Sequence, residues 1–186
     1  MTETAKKEAV YDDLLEIPEN MIGEIIAGEL VVSPRPSPRH SHAVSVLDGR
    51  IGPPYRFGEG GPGGWIFLFE PEIALGEHIL VPDLAGWKKE RITTPPDTNF
   101  IATIPDWICE VLSPATFRTD RIKKMPLYAQ YAVPFLWLLD PIVRTLEVFR
   151  LESGRWSLQS THADDDRVRA EPFPEIEIPL AYLWWQ

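Results

Sequence analysis

The sequence predicts an α/β fold, and three observations support that prediction. The stretch from Ile104 to Pro141 follows the order strand, turn, helix, strand, which is typical of a βαβ unit with a right-handed crossover. Apolar residues recur at helical spacing from His40 to about Ile51, which predicts an amphipathic helix packed on a sheet. The segment from Trp65 to Leu75 alternates as one long strand does.

Length and composition predict a folded protein. The 186 residues favour a single domain spanning 1–186, with residues 1–10 as a flexible N-terminus. The hydrophobic fraction of 44% and the aromatic fraction of 11% argue against disorder. The 19 prolines therefore indicate sharp strand ends rather than an unfolded chain.

The cysteine count and the hydropathy pattern bear on location. Cys109 is the single cysteine, so no intramolecular disulfide forms, and its apolar surroundings predict a small buried side chain. The N-terminus lacks the apolar core of a signal peptide, and no apolar run approaches the roughly eighteen residues that a membrane span requires. We expect a soluble, cytoplasmic protein without a membrane partner.

The first half of the chain contributes a helix, a hairpin and a second helix. Residues 11–17 form a short helix candidate, and residues 22–33 form two strands about a turn at Ala27-Gly28, with Glu24 near the start. His40 and His42 stand at the start of the next helix and, two residues apart, point to different faces. We expect both to be exposed, with a cap or a phosphate contact as the functional alternative.

Residues 52–64 are rich in glycine and proline but do not follow the GxxxxGK[ST] order, which excludes a P-loop. A connector or a mobile flap remains the expectation there.

The central strand carries a carboxylate that calls for an explanation. Glu110 interrupts the apolar run from Trp107 to Leu112, and a charge among apolar neighbours costs several kcal/mol unless it is paired, protonated or metal-bound. In the following helix Asp120, Lys124 and Tyr128 fall at i, i+4 and i+8, so they share one face that can look back at Glu110.

A second carboxylate follows an earlier strand. Asp83 comes just after Pro82 and the apolar run from Ile79 to Val81, and neighbouring strands can bring it beside Glu110. Paired carboxylates suit a hard cation such as Mg²⁺, which keeps several waters and bridges to phosphate. Alternatively, Asp83 is a turn residue and Glu110 an edge acid paired with an arginine.

These motifs together resemble one family. Pro82-Asp83, Glu110-Val111-Leu112-Ser113-Pro114, Asp120-x-x-x-Lys124, Tyr128-Ala129 and residues 137–141 (WLLDP) are similar to the Uma2 (DUF820) family, whose members are regarded as nucleases of the PD-(D/E)xK superfamily. The resemblance extends from about Tyr11 to about Leu151. It implies a restriction-endonuclease-like fold, a mixed central β-sheet flanked by helices.

The resemblance also implies a function. It predicts an endonuclease that hydrolyses phosphodiester bonds in DNA with Mg²⁺ or Mn²⁺ as cofactor. Asp83 and Glu110 are the expected metal ligands, and Lys124 is expected to stabilise charge or orient the base. Glu24 and Asp120 are the supporting acids.

The chain departs from the family pattern at three positions. The superfamily lysine commonly stands two residues after the acid, where this chain has Leu112, so Lys124 on the following helix takes its place in the prediction. Ala27 stands where the family pattern has an aspartate. Pro126 must kink the helix or begin a new one, which leaves open where Lys124 lies relative to Glu110. The structural alternative for Asp120 is that it caps this helix or pairs with Arg121 or Lys124.

The net charge of −10 argues against strong binding of nucleic acid. A small positive rim remains available from the basic residues Arg35, Arg39, Arg118, Arg121, Lys123 and Lys124. The alternative is a catalytically silent domain that binds a partner or forms a homodimer through the aromatic end, residues 176–186, although packing of that end on its own domain is the simpler explanation. Sugar hydrolysis by the two acids would leave Lys124 without a role.

Overall fold

The computed structural model describes residues 8–185, so residues 1–7 of the predicted flexible N-terminus lie outside the described part of the chain. The helical elements are α1 (Tyr11–Leu15), α2 (Pro38–Ile51), a π-helical turn (Gly52–Phe57), α3 (Phe117–Thr119), a second π-helical turn (Asp120–Lys124), α4 (Met125–Gln130) and a 3₁₀ turn (Leu180–Tyr182). The strands are β1 (Met21–Ile26), β2 (Glu29–Pro34), β3 (Trp65–Phe69), β4 (Glu72–Leu75), β5 (His78–Leu80), β6 (Leu84–Lys88), β7 (Phe100–Ile101), β8 (Trp107–Val111), β9 (Phe135–Asp140), β10 (Thr145–Glu152), β11 (Arg155–Ala163), β12 (Arg167–Val168) and β13 (Ile178–Pro179).

The strands divide between two larger sheets and a two-stranded ribbon. One sheet has five strands in the order β2-β1-β5-β4-β7, and the other has six in the order β11-β10-β9-β8-β6-β3. Both sheets are mixed, because β4 pairs parallel with β7 and β8 pairs parallel with β9, while the remaining pairs are antiparallel. The predicted α/β class is confirmed, and the parallel pairing of β8 with β9 is the predicted strand, helix, strand unit.

The first hairpin forms where the sequence places it. Ala27 and Gly28 both have positive φ angles, 50° and 72°, and they join β1 to β2. A two-residue turn with positive φ angles matches the twist of the flanking strands, and glycine adopts that conformation without steric cost.

The prediction of one long strand from Trp65 to Leu75 is wrong. The chain breaks at Glu70, whose φ angle is 43°, and Pro71 follows immediately. β3 then lies at the edge of the six-stranded sheet, whereas β4 joins the five-stranded sheet. Proline has no N–H to donate to a neighbouring strand, so the strand ends at Glu70-Pro71. The apolar and polar residues continue to alternate across this pair, although the chain changes direction there.

The first part of the predicted loop 52–64 is also helical. Gly52–Phe57 continues α2 as a π-helical turn, and it ends at Gly58 with a φ angle of 78°. The remainder of the segment, up to β3, is irregular.

The amphipathic helix α2 packs its apolar face on the six-stranded sheet. Ala43, Val44, Leu47 and Ile51 are buried in one core cluster with Trp107 and other residues of that sheet. Each large side chain buried in this way contributes roughly 1.5–3 kcal/mol. A second core cluster, which includes Leu80, Ile108 and Tyr128, lies on the other face of the six-stranded sheet.

The aromatic C-terminal segment packs largely on its own protein. Leu183 and Trp184 are buried in the first core cluster, and the Trp184 indole donates to the carbonyl of Asp164 at 2.6 Å. Tyr182 and Trp185 remain 57% and 53% exposed. Within residues 8–185 no helix is long and apolar enough to span a membrane.

Candidate active site

A cleft of about 300 Å³ is lined by residues of both larger sheets and of the helical segment after β8. The structure brings all five site residues predicted from the sequence to this cleft. They are Glu24, Asp83, Glu110, Asp120 and Lys124. Four carboxylates and one ammonium therefore share one small, largely buried volume.

Strand register places Asp83 beside Glu110. β6 and β8 run antiparallel with Leu84 opposite Cys109, so the residue before β6 lies next to the residue after Cys109. The amide of Val111 donates to Asp83 Oδ2 at 2.7 Å, which fixes the carboxylate at the end of β8. The side chain of Asp83 is 16% exposed, so it is the more open of the two acids.

Lys124 occupies the centre of the cluster. Its Nζ lies 2.8 Å from Glu110 Oε1 and 3.0 Å from Glu24 Oε1. The same ammonium lies 3.6 Å from Asp120 Oδ1 and donates to the carbonyl of Val81 at 3.2 Å. A lysine on the helix thus reaches the strand acid, although position 112, where the superfamily lysine commonly stands, is a buried leucine here.

The helix changes its geometry where the sequence predicts a discontinuity. Asp120–Lys124 is a π-helical turn, and α4 begins directly after it with Pro126 in its first turn, where the missing amide proton costs little. Asp120 is the first residue of the π-helical turn, where α3 continues into it, and its carboxylate pairs with Lys124. Of the predicted structural alternatives for the Asp120 side chain, the ion pair with Lys124 is the one observed.

Glu24 and Tyr128 also contact the pair formed by Lys124 and Glu110. Glu24 Oε1 also accepts from the amide of Val81 at 2.7 Å, which ties β1 to the end of β5. The Tyr128 hydroxyl donates to Glu110 Oε1 at 2.5 Å. The predicted shared face of Asp120, Lys124 and Tyr128 is confirmed, because all three are buried, Lys124 and Tyr128 both contact Glu110, and Asp120 pairs with Lys124.

Burial and crowding of like charges shift the pKa values of the acids. Burial raises the pKa of Glu110 well above its usual range, Lys124 opposes that shift, and the charges of Asp120, Asp83 and Glu24 add to it. Burial also raises the pKa of Asp120 to about 6, again opposed by Lys124. One ammonium therefore faces more carboxylates than it can neutralise.

The ammonium itself stays charged. Burial alone lowers the pKa of Lys124, but the charges of Glu110 and Glu24 outweigh it, so the pKa is raised well above its usual value. Lys124 is therefore a fixed positive charge in the cleft rather than a neutral base.

His40 is the residue that sequence reasoning missed. The prediction of an exposed histidine is wrong, because His40 is 6% exposed and its Nε2 lies 3.1 Å from Asp83 Oδ1. Burial lowers the pKa of His40, but the hydrogen bond and charge of Asp83 and a backbone contact with Val111 raise it overall. A signal was present, since His40 falls in register with Ala43, Val44 and Leu47 on the apolar face of α2.

His42 lies outside the cleft. It is partly buried, and its Nε2 lies 3.1 Å from the carbonyl of Tyr182. Two residues along a helix point in different directions, so only one of the two histidines reaches the acids.

Comparison with known proteins places this geometry in a family. The sequence profile of Uma2, described as "Putative restriction endonuclease", matches residues 11–181. The chain belongs to the Uma2 family. The crystal structure of a protein from Anabaena variabilis ATCC 29413, described as a "putative nuclease belonging to DUF820", is similar with a TM-score of 0.69 and 25% sequence identity, and the match covers 93% of this chain and 96% of that one. No curated protein matches the chain.

Restriction-endonuclease-like families generally use divalent metals, and the donor groups of the cleft decide whether it suits such an ion. Among residues 8–185 no three His, Cys, Asp or Glu side chains stand together as a ready-made metal cage. Mg²⁺ does not require such a cage, because it commonly binds through one or two carboxylates and takes its other ligands from water and phosphate. Asp83 and Glu110 provide hard oxygen donors of this kind, and the surplus of carboxylates over Lys124 favours an added cation. The donor set fits.

The basic rim predicted for this Uma2 chain is largely paired with acids. Arg35 lines the cleft but lies 2.9 Å from Glu70, Lys123 lies 3.4 Å from Glu29, and Arg121 is bonded to Glu147. Arg39 and Arg118 are exposed, and Lys124 is buried in the cleft. Any phosphate must therefore compete with carboxylates for several of these cations.

Proposed function

We propose that this chain is a single-domain cytoplasmic nuclease that hydrolyses phosphodiester bonds in DNA and uses Mg²⁺ or Mn²⁺ as cofactor. The observation that carries the proposal is the position of Lys124 Nζ, 2.8 Å from Glu110 and 3.0 Å from Glu24, inside the cleft that Asp83 also lines. Membership of the Uma2 family supports the reaction class, and the buried free thiol of Cys109 fits a reducing compartment.

The residues have distinct roles in this proposal. Asp83 and Glu110 would hold the divalent cation, which when bound polarises a phosphate and lowers the pKa of a water molecule. Lys124 remains a point charge that stabilises negative charge on the phosphate oxygens. Asp120, with a pKa of about 6, can accept and return a proton near neutral pH, and Glu24 keeps Lys124 in place.

Calorimetric titration of Mn²⁺ into the wild type and Glu110→Gln tests the proposal. Glutamine keeps the shape of the side chain but removes its charge, so we expect binding by the wild type and a loss of binding by the variant. Glu152→Gln, at an exposed position of β10, is the matched control and should bind as the wild type does. Circular dichroism verifies that all three proteins are folded.

Cleavage of DNA completes the test. Incubation of single- and double-stranded DNA with Mg²⁺ or Mn²⁺ should give products with the wild type and with Glu152→Gln, but none with Glu110→Gln or with EDTA. A wild type that binds no Mn²⁺ would overturn the proposal. Metal binding with cleavage of RNA alone would keep the nuclease and change the substrate.

A non-catalytic dimer is the second candidate, and exposed aromatic residues favour it. Tyr182 and Trp185 are 57% and 53% exposed near the C-terminus, and Trp185 contacts the ring of His42 edge to face. Analytical ultracentrifugation of the wild type and Trp185→Ala examines this candidate. A dimer that dissociates in the variant would support it, and a monomeric wild type would exclude it.

A further inference from the structure

His40 is a buried histidine in which one of the two ring nitrogens has a hydrogen-bond partner and the other has none in the part of the chain that the structure describes. Its Nε2 donates to Asp83 Oδ1 at 3.1 Å, whereas its Nδ1 is buried and has no hydrogen-bond partner among the described residues. The residue lies in the first turn of α2, where its amide donates to the Ser37 hydroxyl at 3.4 Å. The cap at the start of the helix therefore holds the backbone of His40, and the contact with Asp83 orients its ring.

Packing alone does not account for a histidine at this position. The neighbouring residues on the same face, Ala43, Val44 and Leu47, are apolar, and an apolar side chain would fill the site without leaving a buried nitrogen unsatisfied. The polar contact of the His40 side chain at Nε2 is with Asp83, an acid of the cleft.

The bond completes a two-point attachment of Asp83. Val111 N–H holds Oδ2 at 2.7 Å and His40 Nε2 holds Oδ1 at 3.1 Å, so neither oxygen can rotate away without losing a hydrogen bond. Each carboxylate oxygen still has a second lone pair for another ligand. An acid held at both oxygens presents those lone pairs in one fixed orientation.

We infer that His40 is a positioning residue, which orients the carboxylate of Asp83 to receive the divalent cation. The inference rests on the proposed function, and it adds to that function a residue that does not itself touch metal or substrate. Groups that orient a metal ligand in this way typically change metal affinity by about 10- to 100-fold when they are removed.

Three variants test the inference. His40→Leu fills the space without a donor, His40→Gln keeps a nitrogen donor near the place of Nε2, and His42→Leu removes the neighbouring histidine that contacts the Tyr182 carbonyl instead. In calorimetric titrations with Mn²⁺ we expect His40→Leu to bind about 10- to 100-fold more weakly than the wild type. His40→Gln should recover most of the affinity, and His42→Leu should bind as the wild type does.

A second readout needs no metal. In the metal-free protein, amide hydrogen exchange of Val111, followed by NMR, reports on its bond to Asp83 Oδ2. We expect faster exchange in His40→Leu and wild-type exchange in His40→Gln, because only the first variant frees the carboxylate to rotate. A purely structural role would instead lower thermal stability in both His40 variants without separating leucine from glutamine in metal affinity.

The outcomes distinguish this inference from the proposed function. Equal Mn²⁺ affinity in the wild type and His40→Leu, or unchanged exchange of Val111 in His40→Leu, would overturn the positioning role and leave the nuclease proposal intact. A wild type that binds no Mn²⁺ would overturn the proposed function and, with it, any role of His40 toward a cation.

Discussion

Lys124 and Glu110 lie on different elements, a π-helical turn and the central strand β8, yet Lys124 Nζ is 2.8 Å from Glu110 Oε1. Both side chains are almost completely buried, and Glu24 approaches the same ammonium from the second sheet at 3.0 Å. Lys124 therefore links an acid of the six-stranded sheet to an acid of the five-stranded sheet at the cleft. Substitution of Lys124 tests its contribution both to stability and to activity.

Lys124→Met should destabilise the protein and abolish most activity. Removing the ammonium leaves Glu110 and Glu24 buried without their counter-charge, which costs roughly 3–5 kcal/mol at pH 8, as measured by urea denaturation. Activity on DNA should fall by roughly 10²–10³-fold, the usual effect of losing one group that stabilises the transition state. The control is Lys123→Met, whose side chain is 44% exposed and whose stability should change by about 0.5 kcal/mol or less. Equal losses in the two variants would contradict this prediction.

The contribution of Asp120 to the stability of the metal-free protein should fall as pH rises through its pKa. Burial raises that pKa from 3.8 to about 6, so the folded state holds a proton that the unfolded state has already released. The contribution of Asp120 is then fully present below about pH 4 and is lost toward about pH 6, by roughly 1–3 kcal/mol.

Asp120→Asn isolates this contribution. The variant cannot titrate at this position, so the difference in unfolding free energy between variant and wild type should grow in favour of the variant as pH rises from about 4 to about 6. Thermal or urea denaturation across that range measures the difference. The exposed Asp165→Asn serves as control and should follow the wild type at every pH. A difference that does not depend on pH would show that the raised pKa is wrong.

Tyr128→Phe should cost stability because it removes a buried hydrogen bond. The hydroxyl donates to Glu110 Oε1 at 2.5 Å, and both residues are at most 1% exposed. Leaving the carboxylate without this donor should lower the unfolding free energy by roughly 1–3 kcal/mol in urea denaturation. Tyr182→Phe, at a position that is 57% exposed, is the control and should be nearly neutral. Similar values for the two variants would mean that the Tyr128 hydroxyl contributes no more than a surface one.

Periodicity in the sequence was sufficient for some of the site. Spacing at i, i+4 and i+8 places Asp120, Lys124 and Tyr128 on one face, and this holds through the π-helical turn because the side chains remain about one turn apart. Pro126, two residues after Lys124, predicted the discontinuity in the helix. An acid within one strand run and another just after an earlier strand predicted that Glu110 and Asp83 lie side by side, and the register of β6 and β8 confirms that neighbourhood.

Other features could not be derived from local pattern. Alternation from Trp65 to Leu75 continues across Glu70-Pro71, but the positive φ angle of Glu70 sends the two halves to different sheets. His40 lies on the apolar face of α2, but the spacing of apolar residues does not indicate that this face contacts a carboxylate, that of Asp83.

The sequence by itself determined the α/β class, the helix–strand order around Glu110 and the residue types that enter the cleft, because these depend on backbone preferences and on periods of a few residues. Only the tertiary structure decided that Lys124 bonds Glu110 and Glu24 together, and that His40 and Val111 hold the two oxygens of Asp83. These contacts join residues far apart in the chain. They follow from how the sheets and helices pack against one another, and local sequence patterns do not encode that packing.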